Sequence, residues 1–163
     1  MTEHRLGIIM NGVTGRMGTN QHLIRSILAI MKEGGVKLDN GDTVMPDPIL
    51  VGRNTGKVET LAKKHDVVRW TTDLDGAIAN PDDTLFFDSA STNLRAELLR
   101  KAIDAGKDIY CEKPSAGTLE DAIDVYQRAE QAGIRHGVVQ DKIFLPGLQK
   151  MKQLMEDGFF GRL

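Results

Sequence analysis

A glycine-rich turn between an apolar run and a helical pattern constrains the fold of this chain more than any other feature. Residues 6–10, LGIIM, predict a buried strand, and residues 12–18, GVTGRMG, place glycine at positions 12, 15 and 18. Apolar residues then recur at helical spacing over residues 23–31, and Gly34 follows as a helix stop. A strand, a tight glycine turn and a helix in this order are typical of the first unit of a parallel α/β sheet.

The same alternation continues along the chain. Further strands are predicted at residues 49–51, 67–70, 85–87, 108–111 and 137–139, and further helices at 58–64, 74–79, 94–105, 118–133 and 146–158. Thr72 or Asp73 is expected to cap the helix at 74–79, and Thr118 opens a capping box. The polar stretch 37–48, with its Gly and Pro, predicts an inserted surface loop or hairpin. We therefore expect an α/β fold, a Rossmann-type doubly wound parallel sheet, with residues 1–163 forming one domain.

Composition narrows the classes of function. The chain has 163 residues, enough for one domain, and its net charge of -2 offers no basic surface for nucleic acid or an anionic membrane. No apolar run approaches the roughly 20 residues that cross a bilayer, and residues 1–5 lead into a strand without a signal-peptide core. Cytoplasmic location is the resulting expectation.

The cysteine and histidine content argues against a metal site. Cys111 is the single cysteine, so neither an internal disulfide nor a cysteine cluster for zinc can form. We interpret it as a small buried residue at a strand end, because no base is paired with it in the sequence. The four histidines are scattered without metal-ligand spacing; they are His4, His22, His65 and His136. No metal is therefore expected.

The glycine turn, residues 12–18, predicts a pyrophosphate site. Glycine permits the tight turn, the close approach of a phosphate and close packing of helix on strand, and N–H groups at Arg16 and Met17 would face the anion. The commoner fingerprint is G-x-G-x-x-G, and Thr14 stands where its second glycine would be.

The end of the second predicted strand bears on which dinucleotide is bound. NAD-selective sites usually carry Asp or Glu there for the ribose 2′-hydroxyl, whereas this chain reads Gly52-Arg53-Asn54. The Arg53 guanidinium is suited to a 2′-phosphate, which favours NADP over NAD. Asp39 and Asp42, in the polar stretch, remain alternative partners for a 2′-hydroxyl.

A second motif, Glu112-Lys113-Pro114, follows the strand predicted at 108–111, and we call it the lysine turn. With its surroundings, AIDAGKDIYCEKPSA at 102–116, it resembles the signature of the glucose–fructose oxidoreductase/inositol dehydrogenase (Gfo/Idh/MocA) family. The resemblance covers nearly the whole chain but only the family's N-terminal nucleotide-binding half. It implies a substrate-binding α/β domain after Leu163, so that the chain's end resembles a cut at which another strand could begin. It also implies a homo-oligomer at full length.

The resemblance implies roles for individual residues. Lys113 matches the lysine that contacts nicotinamide ribose and substrate and takes part in proton transfer, and Glu112 matches its neighbour on the cofactor side. The peptide before Pro114 is often cis in this family. The matching pyrophosphate turn comprises Gly12, Val13, Thr14, Gly15, Arg16, Met17 and Gly18.

Two segments depart from the family's pattern. Members often read T-P-N-x-x-H-A-E after the fourth strand, whereas residues 90–97 read ASTNLRAE; Ser91 and Thr92 remain as contacts for the nicotinamide ribose. Near residue 140 members usually show an Asn/Arg-type pair, whereas this chain has Asp141 and Lys142, which become candidate substrate contacts.

The expected activity is hydride transfer between NADP(H), or NAD(H), and a CH–OH or C=O group of a sugar, polyol or related small molecule. Two alternatives stay open at this point. A dihydrodipicolinate reductase-like enzyme has a similar glycine turn, although its His-His-rich segment is absent here. A non-catalytic nucleotide-sensing module is the other.

Overall fold

Seven strands form a single sheet in the computed structural model, which describes residues 1–161. The order across the sheet is β2-β3-β1-β5-β6-β7, with β4 pairing β3. All neighbours run parallel except β2, which is antiparallel to β3. The strands are β1 (Glu3–Asn11), β2 (Val36–Lys37), β3 (Thr43–Val51), β4 (Trp70–Thr71), β5 (Asp83–Asp88), β6 (Asp108–Cys111) and β7 (His136–Val138).

Helices follow most strands, as the alternation in sequence predicts. They are a π-helix (Gly18–Ile27) continued by α1 (Leu28–Lys32), α2 (Thr55–Lys64), α3 (Leu74–Ala79), α4 (Thr92–Asp104), α5 (Leu119–Ala132), a 3-10 turn (Asp141–Phe144) and α6 (Pro146–Glu156). Asp73 caps α3 through the N–H of Gly76 at 2.9 Å, and Thr118 caps α5 through the N–H of Asp121 at 3.1 Å. Gly133, left-handed at φ 66°, ends α5. Over residues 1–161, no helix has the length and apolar character that spanning a membrane requires.

Two apolar cores lie on opposite faces of the sheet, because successive strand residues point to opposite sides. Ile9, Phe86 and Ile109 belong to the core under α4 and α5. Met10 and Phe87, one residue later in β1 and β5, belong to the core under the π-helix and α2. Helices on both faces of a parallel sheet define the doubly wound fold, so the expected fold class is confirmed.

The prediction of a surface loop at residues 37–48 is wrong over its second half. Residues 36–44 do form a hairpin, with Lys37 opposite Thr43. Thr43–Val51, however, is one continuous strand that pairs with β1 along its whole length. Pro48 is fully buried in it. The polar and proline residues between 43 and 48 made the first part of β3 resemble a loop in the sequence.

The two prolines of β3 are tolerated because of where their missing N–H groups would point. Leu50 donates its N–H to the carbonyl of Arg69, away from β1, at 2.9 Å. Pro46 and Pro48 share that side, since N–H groups alternate along a strand. On that side, β2 and β4 pair with β3 only near its two ends, so no ladder hydrogen bond is lost at either proline.

Two further segments differ in detail from their predicted form. The strand predicted at 67–70 is reduced to Trp70–Thr71, and Val68 is exposed. The helix after the glycine turn begins as a π-helix: the N–H of Leu28 bonds the carbonyl of Leu23, five residues back.

Of the strand expected to begin at 161–163, residues 162 and 163 lie outside the described residues. The last helix, α6, packs against the 3-10 turn and is exposed along most of its length.

An ion network ties together the amino-terminal ends of β1, β3 and β5. Asp83, fully buried, accepts from Arg69 at 2.5 Å and from Arg5 at 3.2 Å. Asp47 accepts from the same two guanidinium groups, at 2.5 Å from Arg5 and 3.1 Å from Arg69. Burial opposes ionisation of Asp83, but the two arginines outweigh it and lower the pKa of this carboxyl below its usual value.

The lowered pKa gives a stability prediction with a definite sign. Asp83 stabilises the fold above its unfolded pKa of about 4, and this contribution is lost as the pH falls through the lower folded pKa. Asp83→Asn leaves two arginines without their buried partner, so we expect a loss of about 3 kcal/mol at neutral pH. It should also flatten the decline of stability in acid. Urea unfolding across pH measures both effects; the exposed Asp82→Asn is the control, and equal stability of the two variants would contradict the account.

Candidate functional site at the carboxyl edge of the sheet

The candidate site lies where β1 and β5 end side by side, on the edge that we call the carboxyl edge. After β1 the chain moves to β3, towards one end of the strand order. After β5 it moves to β6, towards the other end. The two crossovers diverge and leave a crevice above the ends of β1 and β5. Ligands of open α/β sheets bind in such a crevice.

The glycine turn closes directly over this crevice. Gly12 has φ 72°, and a Cβ there would lie 2.5 Å from the backbone nitrogen of Ala90. At Gly18 a Cβ would lie 2.7 Å from both the Gly12 carbonyl and Ser89 Oγ. These two glycines are therefore required by the protein's own packing.

Gly15 differs from its two neighbours in the turn. A Cβ there would meet only the Gly12 carbonyl, at 3.3 Å, and the residue is exposed together with Arg16 and Met17. Helical backbone begins at Arg16, so the first N–H groups of the helix open towards this side. N–H groups at the start of a helix favour an anion, and Gly15 leaves this side of the turn open. Val13, predicted to contact the cofactor, turns its side chain into the core and offers only its backbone.

A buried charged network holds the end of β5 against the lysine turn. Asp88 has no exposed surface; it accepts from Asn11 Nδ2 at 2.7 Å and from Arg95 Nε at 2.9 Å. The rest of the Arg95 guanidinium donates to the carbonyls of Ala90 and Pro114. One side chain of α4 thus bridges the loops that follow β5 and β6.

The lysine turn begins where β6 ends. The N–H of Glu112 donates to the carbonyl of Asp88 at 2.8 Å, and the Lys113–Pro114 peptide is cis, as the family resemblance implies. Lys113 is exposed, and its ammonium donates to no other residue within 1–161. It stands at the mouth of the crevice with its three donors unused.

A cleft of about 680 Å³ extends from the lysine turn along the face of the sheet, beside the π-helix. Lys113, Asp141 and Lys142 all line it, so the structure brings the predicted catalytic lysine together with the two predicted substrate residues. Its floor is apolar and includes Met10 and Phe87. Polar groups at the rim of an apolar cleft suit a small polar molecule.

Arg53 and Asn54 follow the neighbouring strand, β3, on the same edge. Arg53 is exposed, and its guanidinium makes no hydrogen bond or ion pair inside the described range. The side-chain oxygen of Asn54 caps α2 by accepting from Lys57 N–H at 2.9 Å, and its amide nitrogen stays available for a ligand. Asp42 bonds His4 at the opposite, amino-terminal edge, so it does not compete with Arg53.

Ser91 and Thr92 also reach the carboxyl edge, at the start of α4. Ser91 is exposed and makes no capping bond, whereas Thr92 Oγ1 lies 3.5 Å from the Arg95 guanidinium. Cys111 is buried at the end of β6, and burial raises the pKa of its thiol to about 11. It is therefore protonated at neutral pH, in keeping with the structural role predicted for it.

Several residues of this edge were not predicted from the sequence. Three of them, Asn11, Asp88 and Arg95, form the buried network. Arg95 replaces the histidine of the family pattern, and this substitution was visible in the sequence. His22 was noted only for its lack of metal-ligand spacing; it contacts Glu112 at 2.6 Å. Across residues 1–161, no three His, Cys, Asp or Glu side chains are grouped to hold a metal ion.

Comparison with known proteins agrees with this geometry. Residues 48–140 match the model of the Gfo/Idh/MocA oxidoreductase family, described as an NAD-binding Rossmann fold. The chain belongs to this family. That membership leaves the dihydrodipicolinate reductase-like alternative without support.

Individual relatives cover the chain almost completely. A D-xylose dehydrogenase of Paenarthrobacter nicotinovorans is 52% identical over 156 residues, which are 96% of this chain and 40% of that protein. A levoglucosan dehydrogenase, solved with NADH and levoglucosan, superimposes with a TM-score of 0.79 at 25% identity over 98% of this chain and 41% of its own. An NAD-binding oxidoreductase from Klebsiella pneumoniae gives the same score and identity over 96% and 40%. The chain spans about two fifths of the length of these relatives.

The different demands on the three glycines give a paired prediction. Gly12→Ala forces a side chain onto the backbone of Ala90, so we expect a loss of stability of about 2 kcal/mol or more. Gly15→Ala makes one tight contact, with the Gly12 carbonyl at 3.3 Å, so it should lower thermal stability less than Gly12→Ala while it blocks the open side of the turn. Thermal unfolding combined with a dinucleotide titration tests the pair. Full binding by Gly15→Ala would contradict the placement of the pyrophosphate.

Proposed function

We propose that this chain is the nucleotide-binding portion of an NAD(P)-dependent oxidoreductase, with NADP as the favoured cofactor. The enzyme would transfer hydride between the nicotinamide and a CH–OH or C=O group of a sugar, polyol or related small molecule. The observation that carries the proposal is the convergence of the glycine turn, the end of β5 and the lysine turn on one crevice. A cytoplasmic location and a homo-oligomeric assembly at full length stay predictions from sequence.

The cofactor would lie across the carboxyl edge. Its pyrophosphate would sit over Gly15, where helical N–H groups open and no side chain intervenes. Ser91, Thr92 and Glu112 border the end of β5 and would face the nicotinamide half. Ser91 is exposed and free of a capping role, which leaves its hydroxyl available for a ribose.

The preference for NADP rests on Arg53. Its guanidinium is exposed at the end of β3 and has no partner in the described part of the chain, while Asp42 is held at the far edge of the sheet. A guanidinium binds a 2′-phosphate through charge-assisted hydrogen bonds, and a carboxylate in that place would repel it. The levoglucosan dehydrogenase was solved with NADH, so the preference of this chain for NADP is proposed from Arg53 alone.

Lys113 is the residue proposed for proton transfer. When bound, the nicotinamide supplies or accepts the hydride. An ammonium beside the substrate oxygen stabilises the negative charge that develops there and donates a proton during reduction; the neutral amine takes that proton back during oxidation. Lys113 is suited to this work because its three donors are unused. Asp141 and Lys142, on the same cleft, would hold other hydroxyl groups of the substrate.

The substrate class is proposed from the cleft and from the relatives together. The cleft joins an apolar floor to charged groups at its rim, an arrangement that suits a ring or chain bearing hydroxyls. The relatives are named for D-xylose, levoglucosan and 1,5-anhydro-D-fructose, all of them sugars or their anhydrides. A sugar or polyol is accordingly the proposed substrate.

Calorimetric titration with NADPH and, separately, NADH tests cofactor preference on this chain. We expect NADPH to bind about tenfold or more tightly, the value of one charge-assisted hydrogen bond. Arg53→Glu should abolish the preference. The control is Arg135→Glu, the same charge change at an exposed position at the other end of the sheet. Equal binding of both dinucleotides by the wild type would remove Arg53 as the selector.

Hydride transfer is tested in a chimera in which this chain replaces the matching segment of the Paenarthrobacter D-xylose dehydrogenase. We expect NADP-dependent oxidation of D-xylose, followed by the absorbance of reduced nicotinamide. Lys113→Met should lower kcat by about a hundredfold or more, because general acid–base catalysis is lost. Lys142→Met, a matched change on the same cleft, should act mainly on KM. An unchanged kcat in Lys113→Met would refute the assignment.

A further inference from the structure

His22 lies in the cleft beside the lysine turn and carries no role in the proposed chemistry. Its Nε2 is 2.6 Å from Oε1 of Glu112, and its ring packs on Phe87 with a centroid distance of 4.6 Å. Both polar side chains are nearly buried, with exposed fractions of 14% for His22 and 9% for Glu112. The contact is therefore shielded from competing water.

The second carboxylate oxygen of Glu112 connects the His22 contact to the backbone of Lys113. Oε2 accepts the backbone N–H of Lys113 at 3.1 Å. With Glu112 ionised, its carboxylate only accepts hydrogen bonds, and the contact then uses the His22 tautomer that carries its proton on Nε2. One oxygen is fixed by His22 and the other holds the backbone of Lys113. Removing the histidine would free the carboxylate to rotate away from that N–H.

The position of His22 in the chain links two parts of the site. It stands four residues after Gly18, in the π-helix that leads out of the glycine turn. The same ring contacts β5 through Phe87 and the lysine turn through Glu112. A single side chain thereby connects the helix that leads out of the glycine turn with the lysine turn.

We propose that His22 is a positioning residue: it fixes the Glu112 carboxylate and, through it, the backbone that presents Lys113 to the nicotinamide end of the crevice. The inference rests on the proposed function, because it assumes that a dinucleotide occupies the carboxyl edge. This role requires no direct contact of His22 with the cofactor or the substrate.

The chain contains a matched pair that separates positioning from ordinary stabilisation. His136 Nε2 lies 2.7 Å from Glu130 Oε1, and its ring packs edge-on against Tyr126 at 5.4 Å. The contact repeats that of His22, a carboxylate on the same nitrogen and an aromatic neighbour, but it lies at the start of β7, away from the carboxyl edge. His136→Phe is therefore the control for His22→Phe.

The first experiment measures amide hydrogen exchange at Lys113 by NMR in the chain without cofactor. His22→Phe keeps the aromatic packing and removes the donor, so exchange should become about tenfold faster. His22→Gln, whose amide nitrogen occupies nearly the place of Nε2, should restore the wild-type rate. His136→Phe should leave it unchanged. If His22→Phe fails to fold, His22→Asn, whose shorter amide cannot reach Glu112, replaces it.

The second experiment compares NADPH with adenosine 2′,5′-bisphosphate, which lacks the nicotinamide half. His22→Phe should weaken NADPH about tenfold and leave the bisphosphate unaffected. A purely structural role would weaken both ligands alike, and that result would overturn the inference. Unchanged exchange at Lys113 in His22→Phe would overturn it as well.

Failure of the inference and failure of the proposed function are distinguishable. If the wild-type chain binds neither nucleotide, the proposed function falls, and the role of His22 at the nicotinamide end falls with it; the exchange rate still decides whether His22 fixes the lysine turn. If the wild type binds NADPH and His22→Phe binds it equally well, only the inference falls.

Discussion

The buried Asp88 carboxylate is the contact on which the carboxyl edge depends. It ends β5, has no exposed surface, and is met by Asn11 from β1 and by Arg95 from α4. Arg95 in turn holds the carbonyl of Pro114. A buried carboxylate is costly unless its charge is matched, and removal of one partner costs about 3–5 kcal/mol. The pair of Asp88 and Arg95 therefore fixes the loops after β1, β5 and β6 relative to one another, and it leaves the outer surfaces of these loops open to a ligand.

The two edges of the sheet use charge in different ways. At the amino-terminal edge, Arg5 and Arg69 are saturated by Asp47 and Asp83, so the charges stabilise the fold. At the carboxyl edge, the cations of Arg53 and Lys113 have no partner within the part of the chain that the structure describes. Unmatched cations around a glycine cradle suit an anionic, phosphate-bearing ligand. This difference in charge pairing between the two edges supports the proposal that a dinucleotide binds at the carboxyl edge.

The sequence was sufficient for the fold because its strongest signals are local. The strand, glycine turn and helix at the start of the chain, the caps at Asp73 and Thr118, and the apolar run 85–87 are each signalled by neighbouring residues. All of these elements are confirmed. The first part of β3, residues 43–48, was mistaken for a loop because proline normally breaks strands. Whether a strand tolerates proline depends on where its neighbours stop, and that is a property of the sheet.

In the candidate site, too, local features were predicted from the sequence and long-range contacts were not. Glycine spacing and the lysine turn could be read from consecutive residues, and their convergence followed from the order of strands. The contacts of Arg95 with Pro114 and of His22 with Glu112 could not, because they join residues far apart in sequence. The wide turn of the π-helix, which determines where His22 points, has no clear signature in the sequence.

An NMR titration of the chain with NADPH tests the central claim most directly. If the carboxyl edge binds a dinucleotide, backbone amide shifts will change around Gly15, after β5 and at Lys113. They will remain constant around Arg5 and Asp83 at the opposite edge. Shifts confined to the amino-terminal edge, or none at saturating NADPH, would contradict the account.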